Sequence, residues 1–425
     1  MSAIAPSAAS SSPSASAVTS IRFPSPRRFA VVGAGFAGVS VAWHLLQRCE
    51  FQHTSSSGPV SVDLFDEAGI GGGASGVSGG LLHPYTPKGK FLWKGKQGWQ
   101  AALNLLDVAE AAVPLTGESK PIAWRRGILR PLVAEKHIRD ARKLDGGCDG
   151  SRIEGIRCLE RPVAKAMVPG LELPENGLGL YIPDGINLHP RTYLDALWLA
   201  CADFAHNACP GTRAALVKQH VSSLAELSRE GYNAVVVCTG SKAVLLPELA
   251  GKLPLSMCRG VVADLELPSE YEEYHSQAPN LLSHAWLAVQ GARKIVLGAT
   301  KNWNSGPECE EVSLQEETLV QDELLQRAAQ FYPLIERWKV KSLRAGVRAM
   351  PPRTPLGALP LAGCINELVK PLQSETQWWL IGGLGSRGLM YHGLLGERVA
   401  AAVTAGDESL IPEEFKKFAA VSAQV

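Results

Sequence analysis

Two short stretches hold residues whose types and spacing could do chemistry. In "RFAVVGAGFAGVSVAWHLL" (28–46), Gly33, Gly35 and Gly38 close an apolar run with the spacing GxGxxG. The first glycine permits a tight turn, the second lets backbone approach a pyrophosphate, and the third lets the next helix pack on the strand. With Phe36 and Ala37 between them, the helix start offers free amides to phosphate oxygens. In "WWLIGGLGSRGLMYHGLLGERVAAAV" (378–403), Gly383, Gly385 and Gly388 open another helix, and only here does a cation, Arg387, stand among the glycines beside Ser386 and before Leu389. A guanidinium at that place can make two parallel hydrogen bonds to a carboxylate, cap carbonyls or pair with Glu397.

Such turns need strands before them and helices behind. Val39, Ala42, Trp43 and Leu46 have helical spacing after the first turn. "PVSVDLFDEAG" alternates Val60, Val62 and Leu64 and ends in Asp66, the acid such a motif places on a ribose hydroxyl; Glu67 is the competing candidate. The separation from Gly38 exceeds the usual spacing, and the polar "EFQHTSSSG" reads as a loop insertion. "GIGGGASGVSGGLLHP" (69–84) follows, with Gly73, Ala74, Ser75, Gly80 and Leu81. So glycine-rich a segment lets amides run close along a flat or anionic ligand, and the apolar residues at its end turn it inward. "GYNAVVVCTGSKAVLL" (231–246) reads as a buried strand ending at Thr239 and Gly240.

With these motifs in that order, the chain resembles the D-amino-acid oxidase/glycine oxidase family of FAD-dependent oxidoreductases. "INLHPRTYLDAL" (186–197), "MCRGVVADL" (257–265) and "SLRAGVRAMPPRTPLGALPLAG" (342–363) extend the likeness, and "GGLGSRGL" is nearest to the FAD-dependent half of MnmC, a bacterial enzyme acting on the tRNA wobble uridine. The resemblance implies an α/β fold: a doubly wound parallel sheet for FAD from residues 28–90, 186–250 and 343–410, with a mostly antiparallel substrate domain from 91–185 and 251–342 and a tail over 411–425. It implies noncovalent FAD held by the glycine turns, Asp66 or Glu67, the 69–84 loop and Thr239–Gly240. Cys364 stands beyond the position where some relatives link flavin. It further implies that Arg348, of "GVR", and Arg387 grip a substrate carboxylate, with His83 and Tyr85 as further cavity candidates. The reaction implied is oxidation of a C–N bond in a secondary amine or amino acid, with hydride passing to flavin and then to O2 or another acceptor. No general base is required, since orientation supplies much of the rate.

Composition sets the limits. The 425 residues are 46% hydrophobic and 20% charged with a formal charge of +1, which gives no electrostatic footprint for bulk nucleic acid or anionic membrane. No apolar run approaches a membrane span. Nine scattered cysteines lack any metal-ligand spacing and read as reduced thiols. Residues 1–28 are Ser-rich, acid-poor and Arg-bearing, the composition of a transit peptide, for a plastid first and a mitochondrion as alternative; an ordinary disordered N-terminus is the plainer reading. Lys88, Lys90, Lys94 and Lys96 form either a solvated loop or an anion-binding lip, and Trp93 and Trp99 among them would suit base stacking. An RNA substrate therefore stays open as one alternative, and a non-enzymatic FAD-holding assembly factor as another. The acid-rich amphipathic stretch 313–333 reads as a substrate-domain helix.

Overall fold

The computed structural model describes residues 27–48, 59–113, 121–146, 154–208, 210–275 and 277–417. Residues 1–26 of the leader, the insertion at 50–58 and the end of the tail therefore lie outside the described residues, whereas Arg27 and Arg28, grouped by composition with the leader, open a strand that pairs with Val60 and Ser61. Short valine-rich runs, buried on both faces, build a mostly parallel sheet; Val60–Phe65 and Ala234–Val237 are buried at every position. Its strands lie in the order 361–364, 377–382, 234–237, 27–32, 60–65, 213–217. All pairs are parallel except the edge strand Leu361–Cys364, which runs antiparallel to Gln377–Gly382. Alternate residues serve two cores. Phe29, Val31, Val62 and Val236 face a layer formed by helices Phe36–Gln47, Gly95–Ala112, Pro190–Asn207 and Gly388–Ala405. Ala30, Val32, Val235 and Val237 face the loops that carry Leu224, Leu246, Ile365 and Val369. Each fully buried Val or Leu in these layers contributes about 1.5–3 kcal/mol.

An eight-stranded sheet forms the second body, in the order 339–350, 256–266, 294–298, 286–289, 280–282, 128–132, 178–182, 157–160. It is antiparallel apart from the pairing of Asn280–Leu282 with Ile128–Leu132. Helix Leu314–Ala329 opens with a Ser313/Glu316 capping box and buries Leu324 and Ala328 on this sheet's core.

Two segments sit elsewhere than the sequence reading placed them. Strand Lys339–Met350, grouped by sequence with the cofactor sheet, pairs antiparallel with Ser256–Glu266, setting Arg348 opposite Cys258. Helix Gly95–Ala112, grouped with the substrate segment, buries Leu105, Leu106 and Ala109 against the cofactor-side helices, because its apolar face fits the gap beside Gly388–Ala405. The tail is anchored at Phe415, fully buried with its ring 5.1 Å from that of Trp93 and 6.0 Å from that of Tyr391. Among the described residues no helix is long and apolar enough to cross a membrane, and no cluster of His, Cys, Asp or Glu could hold a metal ion.

Candidate active site

The first glycine turn is closer than any side chain permits. Gly33 has φ +104°, and a Cβ there would stand 2.5 Å from the Cys238 carbonyl oxygen. A Cβ on Gly38 would lie 1.8 Å from the carbonyl oxygen of Gly33, so strand and helix touch backbone to backbone. Helix Phe36–Gln47 has no capping side chain of its own at Gly35; the Phe36 amide donates to Ser75 Oγ at 3.1 Å. Asp66 lies under this turn, Oδ2 accepting from the Ala34 amide at 2.8 Å and Oδ1 from Ala68 at 3.0 Å. Glu67 turns away to Lys242 and His220, and the Lys242 hydrogen bond lowers its pKa. Of the two acids, Asp66 alone reaches the glycine turn.

The second turn is looser. Gly383 and Gly385 have φ +62° and +54°, and the helix begins at Gly388 without a side-chain cap. The two turn helices cross closely: Ser40 Oγ donates to the His392 carbonyl at 2.9 Å, and a Cβ on Gly396 would meet Ser40 Oγ at 2.1 Å. Both helix starts consequently open on one cavity of about 450 Å³.

Its walls gather most of the residues singled out by sequence: Gly35, Phe36, Ala37, Ala74, Ser75, Gly80, Leu81, His83, Gly240, Arg348, Gly383, Gly385, Ser386, Arg387, Gly388 and Leu389. Gly33, Gly38, Asp66, Gly73 and Thr239 are not among its lining residues. Tyr85 is a correction. Its hydroxyl donates to the Glu154 carbonyl at 2.8 Å and its ring packs on Phe91 at 4.8 Å, so it pins a loop and lines nothing. The lysine-rich segment is also partly taken up: Lys96 pairs with Glu154, and Lys94 lies over the Trp93 ring. Trp93 is packed on Phe415, and Trp99 against the helical core. Neither ring is free as a stacking platform.

The cavity is cationic. Arg130, Lys301, Arg348 and Arg387 line it, and among the described residues no Asp or Glu does. Arg348 Nη2 donates to Cys258 Sγ at 3.3 Å. Burial lowers the pKa of Arg387; burial and then the charge of Arg387 bring Arg130 down to about 10. The Arg130 Nε is buried without a hydrogen-bond partner. His83 is brought down to about 3 by burial first and then by Arg387 and Arg130, so it is neutral at physiological pH. Its Nδ1 accepts from the Tyr85 amide at 3.2 Å, which leaves the proton on Nε2. Sequence reading missed Arg130, although one signal exists: it is the single charge in the apolar strand Ile128–Leu132.

This is the architecture of a dinucleotide-dependent oxidoreductase: paired glycine turns under a parallel sheet's carboxyl edge, with a substrate sheet roofing the cavity. The residues fit such a cofactor. Neither helix start is capped by its own N-cap residue, the first having only Ser75 on the Phe36 amide, the Thr239 hydroxyl is buried without a partner, and the wall is backbone where Cβ atoms would intrude. The family model for FAD-dependent oxidoreductases of the DAO type matches residues 28–402. The chain belongs to that family, whose members bind FAD. Its fold matches that of glycine oxidase from Geobacillus kaustophilus at 20% identity, covering 90% of this chain and 96% of that one with a TM-score of 0.66. Iminodiacetate oxidase from Chelativorans sp. BNC1 is similar at 20% identity, 92% and 98% coverage and a TM-score of 0.66. L-proline dehydrogenase from P. horikoshii matches at 17%, 95% and 100%, with a TM-score of 0.69. Among curated proteins nothing matches.

Proposed function

We propose that the protein oxidises the C–N bond of a small secondary amine or amino acid that carries a carboxylate. The observation behind this reading is the set of guanidiniums without acidic partners in the cavity that the two glycine turns share. Bound FAD supplies a two-electron acceptor for the hydride leaving the amine-bearing carbon, and water hydrolyses the resulting imine. Asp66 would hold the ribose, and the amides at 35–37 and 385–389 the phosphate and ring ends. FAD would be noncovalent: among the described cysteines only Cys238 lines the cavity, and burial raises its pKa, keeping it a thiol.

Arg348 and Arg387 would hold the substrate carboxylate with the planar two-point grip that ammonium groups lack. The same positive field, with no carboxylate in the walls, disfavours an ammonium and favours the neutral amine that the reaction consumes. His83, lowered to about 3 by burial first, stays neutral with its proton on Nε2 at physiological pH, and orientation of the amine over the flavin requires no general base. A flavin-holding assembly factor has no use for unpaired guanidiniums. A tRNA substrate is less well supported, since Trp93 and Trp99 are occupied by packing. The plastid address belongs to the same proposal and rests on the composition of residues 1–28 alone; residues 1–30 fused to a reporter should enter plastids, and cytosolic retention contradicts it.

The protein lacking residues 1–26, which leaves the strand Arg27–Val32 whole, should purify yellow and release FAD on acid denaturation. Anaerobic addition of sarcosine, glycine or iminodiacetate should bleach the flavin. A flavin that no amine or amino acid bleaches overturns the reading.

A further inference from the structure

We infer that the cavity takes a ligand with two anionic groups, one held by Arg348 and Arg387 and the second by Arg130. This deepens the proposed function and rests on it for the reacting amine, though not for the number of charges.

Arg130 stands in the middle of Ile128–Leu132, between the buried Leu129 and Pro131, and reaches the same wall as Arg387 and His83. A buried guanidinium nitrogen without a partner is unfavourable, and a second guanidinium beside it adds repulsion. Elsewhere on this sheet the chain resolves the same problem with acids. Arg344 is held by both oxygens of Asp264 at 2.7 Å, and Arg259 pairs with Glu316. Among the described residues nothing plays that part in the cavity: three guanidiniums face a space whose described walls hold no acid.

One carboxylate has two oxygens and satisfies one guanidinium fork, or bridges two. Arg348 lies against Cys258 on one strand pair, and Arg130 projects from a different strand of the sheet. A monoanionic amine therefore leaves at least one guanidinium bare. A second carboxylate, or an oxyanion of similar shape, supplies acceptors for the Arg130 guanidinium where it lines the cavity and offsets the repulsion with Arg387. Neutral His83, with its proton on Nε2, adds a donor at this end of the cavity. An N-substituted amino acid with two carboxylates has the required chemistry.

Titration calorimetry on the FAD-loaded protein, with acetate and malonate as probes, reads the anion count directly. Malonate should bind at least tenfold more tightly than acetate. Arg130→Gln should bring that ratio close to one, and Arg130→Lys should keep part of it. Equal affinities in the unaltered protein, or an unchanged ratio in Arg130→Gln, overturns the inference. Loss of FAD from Arg130→Gln also overturns it, by assigning Arg130 to the cofactor. Anaerobic flavin reduction by sarcosine and iminodiacetate separates the two readings. If iminodiacetate reduces the flavin more efficiently than sarcosine, both stand. If neither reduces it while malonate keeps its advantage, the amine chemistry falls and the doubly anionic site stands.

Discussion

The two glycine turns look alike in sequence and differ in what their glycines do. At the first, Cβ atoms would strike backbone: 1.8 Å from Gly33 O at Gly38 and 2.5 Å from Cys238 O at Gly33. At the second, the nearest obstacles to a Cβ on Gly385 are the Met350 thioether at 3.2 Å and Pro351 at 3.3 Å. The first turn uses glycine for contact between main chains, which nothing can relieve. The second uses it for left-handed backbone, which strains a side chain without colliding with a fixed atom. At the looser turn Arg387 stands at the cap of helix Gly388–Ala405.

Gly38→Ala should separate the two turns most sharply. Its methyl has no space, so the helix must shift off the strand, and a loss above about 4 kcal/mol, seen as insoluble or flavin-free protein, is expected. Gly385→Ala should cost about 1–2 kcal/mol through its left-handed φ and leave a yellow protein with a lower melting temperature. Equal losses in the two variants contradict the distinction drawn between them. Next in size, Arg387→Lys and Arg348→Lys should retain the flavin spectrum. Each should lower kcat/KM for carboxylate-bearing amines ten- to a hundredfold, from the loss of a charge-assisted hydrogen bond of about 1.5–3 kcal/mol. Loss of FAD in the Arg387 variant assigns that residue to the second turn's own structure.

A smaller, graded effect lies in acid. Burial is the main cause that lowers His44 and His392 to about 4 and His83 to about 3, against 6.5 for the unfolded chain. The folded state therefore binds fewer protons than the unfolded state between those values. Their contribution is complete above pH 6.5 and is lost as pH falls through 4 to 3. Denaturant midpoints should decline progressively below pH 6.5, and His83→Gln should lessen the decline. A midpoint flat from pH 7 to pH 4 contradicts these buried neutral histidines.

How much of this was legible depended on the range of the interaction. Glycine spacing, Asp66 at a strand end and the helix after Arg387 are local, and sequence carries them. The partner of strand Lys339–Met350 lies far earlier in the chain, so its place in the substrate sheet was not legible from periodicity. Tyr85 beside His83 invited a cavity role because neighbouring residues alternate direction in ways sequence leaves open, and its hydroxyl instead reaches Glu154. Arg130 was hidden for the opposite reason. A single arginine in "ILRPL" reads as a solvent-facing strand residue until the fold brings Arg387 beside it.

The proposed function stands or falls with Arg387 of the second turn meeting a carboxylate on the substrate. Anaerobic stopped-flow reduction of the flavin by sarcosine and by sarcosinamide tests it most directly, since the pair differs in little but that charge. Reduction by sarcosine should be at least tenfold more efficient than by sarcosinamide, with Arg387→Lys narrowing the gap. Equal efficiency for the two in the unaltered protein contradicts it.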